Sequence, residues 1–115
     1  TVYHFHDTSV SSPMRGDCNI NDNEYLRDNG SNLAAFLYSM MQNDETNFRL
    51  IEGVVSSIAP YFKCFKLRPD VNDKERIRLE WEEKETDMYL NGYSFSDGTL
   101  RFIALATLLL QSRLL

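Results

Sequence analysis

Leu33, Phe36, Leu37, Met40 and Met41 recur at i, i+3, i+4, i+7 and i+8, the spacing of one face of a helix. Asn29, Gly30 or Ser31 is positioned to cap its start. A second helix is expected after Thr46, with Phe48, Ile51, Val55 and Ile58 as its stripe and Pro60 marking its end. The two predict a helical hairpin whose Met and aromatic positions are core. Farther along the period changes. Phe62 to Leu67 reads as a strand, and Ile77, Leu79 and Trp81 alternate with Arg76, Arg78, Glu80 and Glu82. That alternation describes a strand wet on one face, with the arginines facing the glutamates in solvent. Lys84 to Asp87 supplies a polar turn, Met88 to Leu90 can return antiparallel, and Asn91-Gly92 is a further turn signal.

Before the first helix the pattern is poorer. Val2 to Phe5 are β-formers, whereas Asp7 to Gly30 is rich in Asp, Asn, Ser, Gly and Pro and reads as one long irregular segment. After the strands comes Phe95-Ser96-Asp97-Gly98-Thr99-Leu100-Arg101, and then an apolar run from Phe102 to Leu110 interrupted only by Thr107. The run is far shorter than the roughly 20 residues that span a bilayer. A helix apolar on nearly all sides must be covered on most of them.

The whole reads as one α+β domain of 115 residues: a helical hairpin, a small antiparallel sheet and a last helix. Both ends look cut, since the chain opens at Thr1 and stops at Leu115 soon after the apolar run. We therefore expect residues 1–115 to form a single partial domain. With 43% hydrophobic and 25% charged residues, the composition favours neither disorder nor a fibrous class. Twelve Lys and Arg against seventeen Asp and Glu leave a net charge of −5, which disfavours direct nucleic-acid binding. The opening residues lack the basic and then apolar pattern of a secretory leader. Cys18 and Cys64, far apart and outside any CxxC spacing, suit free thiols in a reducing compartment. The expectation is a cytoplasmic chain with no membrane partner.

Candidate chemistry concentrates in the stretch from Ser96 to Arg101. Ser96 suits an N-cap, and Asp97 suits the positive first turn of a helix. Gly98 sits in that turn, where it costs helix stability unless something approaches the backbone closely. Free N–H groups, a hydroxyl and the positive end of the helix dipole together favour an anion, with phosphate the obvious one. His4, His6 and Asp7 make a thin case for a metal site, lacking a third spaced ligand. Cys18 with Cys64 makes a thinner one. Glu80, Glu82, Glu83 and Glu85 read as a solvated face rather than an acid–base dyad. Trp81 reads as core, on the face of Ile77 and Leu79.

Ser96-Asp97-Gly98-Thr99 followed by Leu100-Arg101-Phe102 resembles the signature motif of ABC-type ATPase heads, and in particular the RecF/SMC-like predicted ATPases often grouped as AAA-type ATP-binding proteins. In that family a Leu-Ser-Asp-Gly-Thr-Leu-Arg stretch opens an Ala/Leu-rich helix; here Phe95 stands in place of the Leu. Tyr3-His4-Phe5-His6-Asp7-Thr8-Ser9 and Gly30-Ser31-Asn32-Leu33-Ala34-Ala35-Phe36-Leu37 resemble the family as well. The resemblance implies the middle lobe of a larger P-loop head, dimeric, with ATP sandwiched between two heads. It implies that Ser96 and the backbone at Asp97 and Gly98 contact the γ-phosphate in trans, with Thr99 in the motif and Arg101 positioning it. ATP and Mg²⁺ would be held by Walker A and Walker B parts elsewhere in the parent. Neither a GxxxxGK[ST] nor an apolar strand ending in Asp-Glu occurs in this chain. The chain alone is thus expected neither to bind ATP tightly nor to hydrolyse it. The rival expectation is a stand-alone interaction module that docks a partner through the apolar helix at 100–110.

Overall fold

The computed structural model describes residues 14, 16–84, 89–91 and 97–111. The expectations for Val2 to Phe5, for His4, His6 and Asp7, for the 85–88 turn and for Gly92 lie outside the described residues. Within them the architecture is α+β, with three helices and two small antiparallel sheets.

The segment before the first helix contains more order than its composition suggests. Asp17–Asn19 forms a strand, β1. A loop ending in a tight turn then leads to α1 (Leu33–Asn43), whose cap position is Asn32 rather than any of the three residues before it. Asn29, Gly30 and Ser31 instead build the turn itself. The Asn29 carboxamide oxygen accepts the Ser31 N–H at 2.9 Å. Gly30 takes φ 73°, a left-handed conformation that favours glycine. Asn32, fully buried, does not cap with its side chain. Its oxygen accepts the Arg27 N–H at 2.8 Å, and its amide donates to the carbonyls of Asp22 (2.8 Å) and Tyr25 (2.6 Å). One side chain thereby satisfies three backbone groups of the preceding loop, which explains how that loop holds its shape without ladder hydrogen bonds.

α2 (Glu45–Ile58) starts earlier than its stripe predicts, because Asp44 ends one helix and begins the next. The Asp44 N–H donates to the Met40 carbonyl at 2.7 Å, and its own carbonyl accepts from Phe48 at 3.0 Å. Phe48, Ile51 and Val55 are fully buried as expected, but Ile58 is 47% exposed. The chain leaves the helix there, and Ala59, buried just before Pro60, takes the inward position. Glu52 is the unexpected member of the buried face. Besides meeting α1 at the Asp44 joint, α2 packs along α3 (Asp97–Leu110).

The alternation around Leu79 divides between two sheets. β3 (Arg76–Arg78) pairs antiparallel with β1, and β4 (Glu80–Glu83) lies between β2 (Phe62–Phe65) and β5 (Tyr89–Asn91). Phe65 sits opposite Trp81, and Trp81 opposite Leu90. The antiparallel return expected near Met88 is thus present as β5. Ile77, Leu79 and Trp81 are all buried, at 1%, 0% and 1%. Trp81 stacks on Phe62 with centroids 5.9 Å apart, and Phe62 meets Phe65 edge-on at 4.9 Å. Phe48 of α2 reaches Phe65 at 6.1 Å and joins the helices to the sheet. Leu100 and Ile103 of α3 close the same core.

Candidate functional site

α3 opens at Asp97, immediately after Ser96, so the motif lies at the start of a helix as its residue types require. Ser96 itself lies outside the described residues. The first N–H groups of any helix lack partners within it and carry the positive end of its dipole. Gly98 is exposed in that first turn, and a Cβ added to it would meet nothing within 4 Å. Packing among the described residues therefore does not demand a glycine here. Arg101, one turn on, is also exposed, whereas Thr99 is 8% exposed and lies beside Leu100 in the buried layer. The motif divides: Gly98 and Arg101 are exposed, and the Thr99 side chain is largely covered.

The exposed face continues along the helix. Leu105 and Leu109 are 43% and 68% exposed, following Arg101 at steps of four. Ile103, Ala104 and Thr107 face inward, with the Thr107 hydroxyl donating to the Ile103 carbonyl at 2.7 Å. The helix is thus covered on one side only, and its outer side stays apolar from Leu105 onward.

The acidic row on β4 differs from its expected solvated state. Glu82 is buried, and its carboxylate meets Lys63 at 3.2 Å and Lys66 at 3.4 Å. The hydrogen bond from Lys63, reinforced by the charge of both lysines, holds its carboxyl below the usual glutamate value. The arginines of β3 do not face it. Arg76 pairs with Asp17 at 3.2 Å and Arg78 with Asp70 at 3.5 Å, while Glu80 meets Arg68 at 3.8 Å. The break at Leu79 turns the two halves of the alternation toward different neighbours, so a spacing argument pairs the wrong charges. A carboxylate held anionic between two lysines suits a structural clamp and not a proton donor.

Both thiols are unbridged. Cys18 is buried and Cys64 half-buried, and burial pushes each above its ordinary value. Neither has the thiolate character of a nucleophile. Among the described residues, no group of three or more His, Cys, Asp or Glu is placed to hold a metal ion. No described helix is long and apolar enough to cross a membrane.

A cleft of about 530 Å³ opens elsewhere, and sequence reasoning did not anticipate it. Asn23, Glu24, Phe36, Asn43, Asp44 and Gln111 are among its lining residues. Gln111 lies 13 residues past Gly98, which at 1.5 Å per residue puts the cleft about 20 Å from the motif. The two are separate features of the fold.

Comparison of the chain with protein-family models, with curated proteins and with solved structures returned no match.

Proposed function

We propose that this chain is the signature-bearing lobe of an ABC/SMC/RecF-like ATPase head, offering the start of α3 to the γ-phosphate of ATP bound by a second head. The observation that carries the reading is Gly98. It is exposed in the first turn of a helix, where it weakens helix formation, and among the described residues no neighbour requires it. A ligand that must reach the backbone supplies the missing reason. In this reading Ser96 and the Asp97 and Gly98 N–H groups take the phosphate oxygens, and Arg101 adds positive charge beside them. Thr99 contributes its place in the turn more than its side chain. ATP and Mg²⁺ supply the phosphoryl-transfer chemistry and are held by Walker A and Walker B parts of the parent, so the chain by itself turns nothing over.

The test begins with the coding sequence on either side of Thr1 and Leu115. A GxxxxGK[ST] upstream and an apolar strand ending in Asp-Glu downstream are expected. In the intact protein, Ser96→Arg should then abolish ATP turnover while nucleotide binding at the Walker A loop persists. Flanks with neither motif, or full turnover by the Ser96→Arg protein, would overturn the proposal.

A second reading draws on Leu105 and Leu109, whose exposure on one face of α3 favours docking of a partner with no nucleotide involved. The readings separate by substitution. Changes at Ser96 and Gly98 leave docking intact, and changes at Leu105 and Leu109 remove it.

A further inference from the structure

We draw no further inference here: the strongest candidate, the polar cleft between the 21–24 loop and the C-terminal ends of α1 and α3, turns the side-chain amides of Asn23, Asn43 and Gln111 onto its own chain and, among the described residues, leaves no buried side-chain polar atom unpaired to meet a ligand.

Discussion

The Glu52 carboxylate accepts the backbone N–H of Phe65 at 2.8 Å, so a helix side chain caps the outer edge of β2. On the other side β2 pairs with β4, which leaves that N–H without a ladder partner. Its second oxygen accepts from Arg49 at 2.6 Å, which keeps a buried charge paired. Glu52→Ala should cost about 2–3 kcal/mol by stranding a buried donor. Glu52→Gln keeps an acceptor and should cost less. Urea unfolding of both variants checks this, and equal losses would remove the Phe65 bond from the account.

Acid should weaken the fold through Glu82. Its folded value lies below the ordinary 4.5, so the unfolded chain binds more protons across the interval between the two values. Stability from this group is complete above the ordinary value and is lost as pH falls through the folded one. The Asp17 carboxyl, lowered first by the hydrogen bond from Arg76, acts in the same sense. Unfolding free energy measured against pH should therefore descend on its acid limb, and Glu82→Gln should make that limb shallower. An unchanged limb in the variant would show that the lysine clamp contributes nothing to folding.

Asn32 predicts a large loss from a single polar side chain. Asn32→Ala empties a fully buried position and leaves one backbone N–H and two carbonyls of a part-buried loop without their partner. We expect at least about 2 kcal/mol of destabilisation. A shift in thermal midpoint below about 4 °C would contradict this. Asn32→Asp tests the donors separately, since it retains the acceptor for Arg27 but faces the Asp22 and Tyr25 carbonyls without an amide.

The two faces of α3 should respond very unequally to substitution. Ile103→Ala empties a fully buried position and should cost about 2–5 kcal/mol. Leu109→Lys, on the open face, should change stability by no more than about 0.5 kcal/mol. Denaturant midpoints for the pair measure the contrast, and a heavy loss at Leu109 would mean that the outer face is packed.

Periodicity found the helices because their cores are apolar: Leu33, Phe36, Leu37 and Met40 are buried where the spacing puts them. It misjudged positions decided by chain direction. Ile58 keeps the stripe but sits where the helix ends; Leu79 is buried as the alternation requires, yet the single strand it implied divides there between two sheets. β1 was hidden because its strand character comes from pairing with β3, not from Asp-Cys-Asn itself. Glu52 and Glu82 were illegible for a related reason. A carboxylate reads as solvated until the N–H or the lysines that hold it are seen. At the candidate site, the helix start was legible from Asp97 and Gly98, whereas the burial of Thr99 is a matter of tertiary packing that its residue type does not announce.

The β1–β3 ribbon also sets an order of events. The ion pair between Asp17 and Arg76 joins positions 59 residues apart, while α1 and α2 meet through the single residue Asp44. Closing the longer loop costs more entropy, and distant strand pairs form slowly compared with local helical contacts. The ribbon is therefore expected to zip after the α1–α2 pair has formed. Cys18, opposite Ile77 and 8% exposed, is sealed only when that happens. Its thiol is thus a built-in clock: in a Cys64→Ser background, pulse labelling during refolding should find Cys18 reactive after the helices have formed and inert once the ribbon closes.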